Sequence, residues 1–145
     1  MYERFTDRAR NIIVRANGVA YNYGQIEIKP EHILIGFMFQ HKGKGVIIIQ
    51  QLVEPEKIFD GLDKRVQGIP QMRPTKELPY SRLTRILINN AQEYAQSLQH
   101  DYVGIEHIGY GILTLEEGIT HEIFSELKLS KEEYDRKVRQ ILSIK

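Results

Sequence analysis

The segment KPEHILIG, Lys29 to Gly36, has a near copy 75 residues later in GIEHIGYG, Gly104 to Gly111. When residues 5–68 are laid over residues 80–143, the two stretches align without a gap. The twelve identical pairs are Arg10/Arg85, Ile13/Ile88, Ala16/Ala91, Ala20/Ala95, Glu31/Glu106, His32/His107, Ile33/Ile108, Gly36/Gly111, Gly43/Gly118, Ile48/Ile123, Leu52/Leu127 and Asp60/Asp135. Because an internal repeat constrains both copies at once, the sequence predicts one structure built twice.

Each copy opens with apolar residues at helical spacing. The positions are Ala9, Ile12, Ile13, Ala16, Ala20 and Tyr23 in the first copy, and Thr84, Leu87, Ile88, Ala91, Ala95 and Leu98 in the second. Thr6 and Ser81 stand where a helix N-cap is expected, and Gly24 can end the first helix. A second helix is predicted to begin near Pro30 and near Ile105, since proline is well tolerated at a first helical position.

The third element of the first copy, GVIII at 45–49, is β-branched and by itself could be a strand. Its counterpart carries Ile119, Ile123, Phe124 and Leu127 at helical spacing, so the shared register favours a helix in both copies. A fourth helix follows in each copy, with Ser130 and Glu133 as a capping box in the second. The prediction is a single all-α domain over 1–145, with repeat one at about 5–68, a proline-rich linker at about 69–79 and repeat two at about 80–143.

Composition narrows the function classes. Twenty basic and nineteen acidic side chains give a net charge of +1, so no whole-domain field favours nucleic acid or an anionic membrane. Without cysteine there is no thiolate nucleophile and no cysteine-based zinc site. The longest apolar run, VIII at 46–49, is too short to span a bilayer, and the charged N-terminus does not resemble a signal peptide. We therefore expect a cytoplasmic protein.

Known catalytic motifs do not match the chain. HKGKG at 41–45 lacks the spacing of a phosphate-binding loop, and neither H-E-x-x-H nor G-x-S-x-G occurs. The pairs Glu31-His32 and Glu106-His107 suggest a metal or hydrolytic site, but adjacent helical residues point about 100° apart. Such a site would require the two repeats to converge in one pocket. The interpretation we favour for both histidines is a packed side chain bonded to backbone near a helix start.

The two glutamates have two interpretations that the sequence leaves open. A carboxylate in the first turn of a helix is stabilised by the helix dipole, which alone accounts for Glu31 and Glu106. The same helix start also presents free N–H groups that attract an anion. A carboxylate beside such an anion site suits a ligand that carries a cation and an anion close together.

Several features together resemble the Clp N-terminal repeat domain, most closely that of the ClpC type. They are the start MYERFTDRAR, the doubled EHI-x-x-G, the glycine a few residues after the second helix and the two-copy layout. The resemblance covers roughly residues 2–143. It implies two four-helix repeats related by pseudo-twofold symmetry, with no catalysis and no cofactor of their own.

The resemblance also implies partners and sites. ClpC N-terminal domains dock adaptors and substrates for an ATP-driven unfoldase that delivers proteins to a protease, and some bind phosphoarginine. The guanidinium-binding glutamates of those domains correspond to Glu31 and Glu106, and the peptide or adaptor surface corresponds to Tyr2, Arg10, Pro79, Tyr80 and Arg85. A free-standing homologue that competes for Clp adaptors, substrates or ligands is the alternative, and an enzyme using the Glu-His pairs is a further one.

The chain departs from the family pattern G-T-E-H in both copies, which read Lys-Pro-Glu-His and Gly-Ile-Glu-His. Pro30 lacks an N–H, and neither copy keeps the threonine hydroxyl. We therefore expect phosphoarginine binding to be weak and to depend more on Glu106 than on Glu31.

Overall fold

The computed structural model describes residues 4–40, 44–66 and 77–143. Within these residues the chain forms eight helices and no strand. The helices are α1 (Asp7–Asn22), α2 (Pro30–Met38), α3 (Lys44–Leu52), α4 (Pro55–Arg65), α5 (Arg82–Ser97), α6 (Ile105–Leu113), α7 (Ile119–Glu126) and α8 (Lys131–Ile141). The all-α prediction is confirmed, and the ambiguous segment of copy one is a helix. The predicted linker falls mostly at 69–76, outside the described residues.

The two halves repeat the same helices at the same offset. Helices α1 and α5 both have 16 residues and start 75 positions apart, and α2 and α6 both have nine. Thr6 and Ser81 cap α1 and α5 as predicted, since their hydroxyl oxygens accept N–H groups from Ala9 and Thr84, each at 3.2 Å. Local signals in the sequence therefore place these helix starts correctly.

The core is built around α2 and α6, which pack against each other and are buried along most of their length. Each central helix crosses the first helix of its own repeat at a glycine. A Cβ on Gly36 would lie 2.6 Å from the carbonyl oxygen of Ile12, and one on Gly111 would lie 2.5 Å from that of Leu87. These close approaches explain why glycine stands at both equivalent positions.

The repeats are joined by two parallel backbone bridges, Ile28 with Tyr80 and Phe5 with Val103. We call them the Tyr80 seam and the Phe5 seam. In the Tyr80 seam, the N–H of Ile28 donates to Pro79 at 2.8 Å and the N–H of Ser81 donates to Ile28 at 2.9 Å. In each seam, the segment before the first helix of one repeat pairs with the loop before the second helix of the other.

The Phe5 seam repeats this pattern. The N–H of Val103 donates to Arg4 at 2.8 Å, and the N–H of Thr6 donates to Val103 at 3.0 Å. Every atom of this pattern corresponds to one in the Tyr80 seam at an offset of 75 residues. The reciprocal pairing is the pseudo-twofold relation expressed in backbone hydrogen bonds.

Candidate binding sites at the helix starts

The histidines of the two Glu-His pairs cap the central helices. Nδ1 of His32 accepts the N–H of Lys29 at 2.9 Å, and Nδ1 of His107 accepts the N–H of Gly104 at 2.8 Å. Both rings are buried, with exposed fractions of 2% for His32 and 0% for His107. Burial, followed by the charge of Lys29, lowers the pKa of His32 to about 4. The interpretation of these histidines as backbone-bonded scaffold residues is confirmed.

The glutamates of the same pairs are buried acids. Glu31 is 7% exposed and Glu106 is 5% exposed. Burial raises the pKa of Glu31, while its own backbone N–H and the charge of Lys29 act in the opposite direction. A carboxylate kept from water beside a cation and a helix start attracts a further cationic donor when it ionises. Each glutamate is therefore a candidate ligand group.

The surroundings of the two carboxylates differ. Glu106 is folded back over the start of its helix, where a Cβ on residue 104 would collide with Oε1 of Glu106. That oxygen also lies 3.6 Å from Nδ1 of His107. Glycine at position 104 leaves room for the Glu106 carboxylate, whereas the first repeat has Lys29 there.

A cavity of about 300 Å³ lies in front of Glu31. Three helix starts line it: residues 29–31 of α2, 81–83 of α5 and 118–119 of α7. Gly118, the N-cap of α7, adopts a φ of +94°, which favours glycine. Converging helix starts give the cavity a positive potential that suits an anion, and Glu31 supplies the negative counterpart.

Two cationic side chains, Lys29 and Arg82, also line this cavity. Arg82 is ion-paired with the exposed Glu117. Glu27 lines it as well, so the cavity combines two carboxylates, of which Glu31 is the buried one, with two cations and three helix starts. Residues 29–31, 81–83 and 118–119 are far apart in the sequence, and the short motif around Glu31 gave no signal of the other two segments.

The residues predicted for the peptide surface fall on and beside the Tyr80 seam. Pro79 is exposed and Tyr80 is half-buried, and their backbone pairs with Ile28. Arg10 on α1 and Arg85 on α5 are exposed at equivalent positions of the repeats. Tyr2 lies outside the described residues.

Sequence reasoning missed the polar contacts that reinforce the seams. The hydroxyl of Thr84 donates to the carbonyl oxygen of Ile28 at 2.8 Å, and Ser81 donates to Thr84 at 3.0 Å. In the second repeat, Nδ1 of His100 lies 2.9 Å from Nε2 of His107. The only sequence signal was the polar residue Thr84 at an apolar position of the first helix in copy two.

Neither Glu-His pair forms a metal-binding cluster with its neighbours: across residues 4–40, 44–66 and 77–143, no group of three or more histidine or acidic side chains could hold an ion. No helix in the same residues is long and apolar enough to cross a membrane.

Fold and site together define an all-helical tandem-repeat domain whose candidate ligand-binding groups lie at helix starts. A family model described as the Clp repeat (R) N-terminal domain matches residues 4–127 and 80–145. The chain belongs to this family.

Two relatives illustrate the similarity in sequence. The chaperone protein ClpB of Oceanobacillus iheyensis is 30% identical over 143 residues, which is 98% of this chain and 17% of the relative. The negative regulator of genetic competence ClpC/MecB of Bacillus subtilis is 29% identical over the same shares of the two chains. The chain therefore spans about a sixth of the length of these relatives.

Solved structures show the same fold. The Hsp104 N-terminal domain of Candida albicans superposes with a TM-score of 0.79 at 20% identity, covering 99% of this chain and 94% of that one. The ClpV N-domain in complex with a VipB peptide gives 0.74 at 14% identity, covering 97% and 88%. At these identities the likeness concerns the fold.

Proposed function

We propose that this chain is a protein-interaction module that recognises substrates or adaptors for a ClpC-like, ATP-dependent unfoldase, without catalysis of its own. Membership of the family supports a role as an interaction module. A ClpV N-domain of the same fold has been solved in complex with a VipB peptide. We also propose that the protein is cytoplasmic, as the sequence predicts.

The observation that carries the proposal furthest is the cavity in front of Glu31. Its one buried carboxylate and its three helix starts suit a group that holds a cation next to an anion. Phosphoarginine is such a group, because its guanidinium can pair with Glu31 while its phosphate meets the helix starts and Lys29. We therefore propose phosphoarginine-bearing proteins as one class of partner.

The geometry also bears on which glutamate matters more. The sequence predicts the greater dependence on Glu106, because Pro30 removes one N–H from the Glu31 site. The starts of α5 and α7 also line the cavity before Glu31, and the N–H groups at these starts would compensate for the proline. The Glu106 carboxylate is folded over its own helix start. These features support Glu31 as the principal site.

Calorimetric titration with free phosphoarginine tests this proposal. The variants are Glu31→Gln and the matched Glu106→Gln, each of which removes a charge and keeps the shape. We expect Glu31→Gln to weaken binding by about tenfold or more, as the loss of a charge-assisted pair implies, and Glu106→Gln to change it less. A larger loss of affinity in Glu106→Gln than in Glu31→Gln would contradict Glu31 as the principal site and agree with the sequence-based prediction for Glu106.

A second titration tests recognition of protein. An arginine-phosphorylated unfolded polypeptide and its unphosphorylated form are titrated into the wild type, Tyr80→Ala and Arg85→Glu. Weaker binding of both forms to the two variants supports Tyr80 and Arg85 as part of a peptide surface. Equal binding by all three proteins would remove these residues from the proposed site.

A further inference from the structure

A second cavity, of about 270 Å³, opens beside the Phe5 seam. It is lined by Arg4, by the last turns of α5 through Gln92, Ala95 and Gln96, and by residues 100–103 of the loop before α6. It shares no lining residue with the cavity in front of Glu31. The two cavities are separate sites.

One wall of this cavity holds a histidine whose tautomer is fixed by a chain of hydrogen bonds. Nδ1 of His107 accepts the backbone N–H of Gly104, so the proton of the neutral His107 ring is on Nε2. In the contact of 2.9 Å with Nδ1 of His100, Nε2–H of His107 is therefore the donor and Nδ1 of His100 is the acceptor. The neutral His100 ring therefore carries its own proton on Nε2.

The outer side of His100 is a hydrogen-bond donor that has no partner among residues 4–40, 44–66 and 77–143. Nδ1 faces the buried His107, which leaves the Nε2 side of the ring for the cavity that His100 lines. Nε2 makes no hydrogen bond with any residue in the described ranges. Stacking on Tyr102, with ring centroids 4.9 Å apart and planes inclined by 12°, holds the ring in this orientation.

Other polar groups in the lining complement this donor. Arg4 is exposed and forms no ion pair within the part of the chain that the structure describes. Gln96 adds an exposed amide. Asp101 is the one carboxylate in the lining, so its charge balances that of Arg4 while His100 is neutral.

We propose that this cavity binds a carboxylate group of a partner peptide. Nε2–H of His100 donates to one oxygen, the guanidinium of Arg4 pairs with the other, and Tyr102, Ala95 and Val103 contact the aliphatic part. Because the charges of Arg4 and Asp101 cancel, a monoanion held by two donors meets less repulsion from Asp101 than a phosphate dianion does. The carboxylate comes from an acidic side chain or from the C-terminus of the peptide.

The two sources are separated with three probes, each an otherwise uncharged pentapeptide with an acetylated N-terminus. One carries a central glutamate and an amidated C-terminus, its matched control carries glutamine instead, and the third is pentaglycine with a free C-terminal carboxylate. Binding is followed by NMR through the amide signals of residues 100–103. We expect the glutamate peptide, the free C-terminus, or both to bind at least fivefold more tightly than the glutamine control.

Variants test the assigned roles. His100→Ala and Arg4→Ala should each weaken binding by about tenfold, and Asp101→Asn should strengthen it by about threefold because an opposing charge is removed. Gln25→Ala is the matched control, since Gln25 is the equivalent of His100 in repeat one, and it should leave binding unchanged. Arg4 and Asp101 are exposed, so these two variants report on binding even if His100→Ala perturbs folding.

The tautomer has its own test in the nitrogen–proton NMR spectrum of the imidazole rings. Both His100 and His107 should carry the proton on Nε2 at neutral pH. An Nδ1–H tautomer of His100 would overturn the proposal, as would equal binding of the glutamine control or weaker binding by Asp101→Asn. Tighter binding of inorganic phosphate than of any carboxylate peptide would also overturn it.

Discussion

The two seams have the same backbone and different side chains. In both, one segment pairs with the loop before a central helix through two hydrogen bonds of 2.8–3.0 Å. The Tyr80 seam is reinforced by the hydroxyls of Ser81 and Thr84, which form a chain to Ile28. Beside the Phe5 seam, Ala9 stands in place of Thr84, and the polar contact is the pair His100 and His107.

This difference shows which features a duplicated fold preserves. The close helix crossing and the histidine cap recur because they depend on residue types kept in both copies, namely glycine and histidine, whereas the backbone pairing recurs although its residues differ. Side chains next to these features have diverged, and with them the cavities. One repeat therefore offers a cavity at its glutamate, and the other offers one at a histidine.

The largest effect is expected where the repeats are most alike. Gly36→Ala and Gly111→Ala each place a Cβ against a backbone carbonyl oxygen, at 2.6 and 2.5 Å, which no side-chain movement relieves. Each should lower the free energy of unfolding by about 3 kcal/mol, the upper range for overpacking. Urea denaturation measures this loss.

A matched control is Gly18→Ala in α1, where a Cβ would meet no atom within 4 Å. It should be neutral or stabilising by up to about 1 kcal/mol, through helix propensity. If the stability losses of Gly36→Ala and Gly111→Ala differ by much more than the experimental error, the two helix crossings are not equivalent.

The next effect concerns the pH dependence of the first repeat. The pKa of His32 is about 4 in the folded protein and 6.5 ordinarily, so the unfolded chain takes up a proton that the folded one does not as pH falls from 6.5 to 4. Stability contributed by neutral His32 is complete above pH 6.5 and is lost over this window. Glu31, whose pKa is raised, takes up its proton in the folded state and offsets part of the loss.

His32→Asn keeps an acceptor for the N–H of Lys29 but does not titrate. Between pH 7 and pH 4.5 it should lose less stability than the wild type, by about 2 kcal/mol, as measured by urea denaturation at several pH values. His121→Asn, at a more exposed histidine, is the control for the replacement of a histidine by asparagine. Parallel curves for His32→Asn and wild type would contradict the assignment.

A smaller effect separates the seams directly. Thr84→Val removes the bonds to Ile28 and from Ser81 while keeping the shape, and should cost about 1.5 kcal/mol because buried polar atoms lose a partner. Thr84→Ser keeps the hydroxyl and should retain more of the stability. Hydrogen exchange at the N–H of Ile28 should rise in Thr84→Val, with that of Val103 less affected.

The smallest effect is expected at a contact between the repeats that has no equivalent related by the 75-residue offset. Arg65 in α4 pairs with Glu122 and Glu126 of α7, both of which are exposed. The equivalents of these three residues are Gln140, Ile47 and Gln51, which cannot form ion pairs. Arg65→Met should therefore cost less than about 1 kcal/mol, and the cost should shrink in high salt. A salt-independent loss above 2 kcal/mol would show that packing, not charge, holds α4 to α7.

The sequence by itself determined the helices and the histidine caps. Apolar spacing and capping residues act within a few positions of the chain, so Thr6, Ser81 and the repeat offset were enough to predict the starts of α1 and α5. The offset also predicted that α3 is a helix, because the helical spacing of residues 119–127 in the second copy resolved the choice between strand and helix at 45–49.

Only the tertiary structure decided which of these local features meet. The cavity in front of Glu31 joins residues 29–31, 81–83 and 118–119, and the Tyr80 and Phe5 seams pair segments more than 50 residues apart. Helix periodicity carries no information about such contacts, because it records which face of a helix is buried and not what covers it. The sequence could name Glu31 and Glu106 as candidates, and packing between the repeats gave them different surroundings.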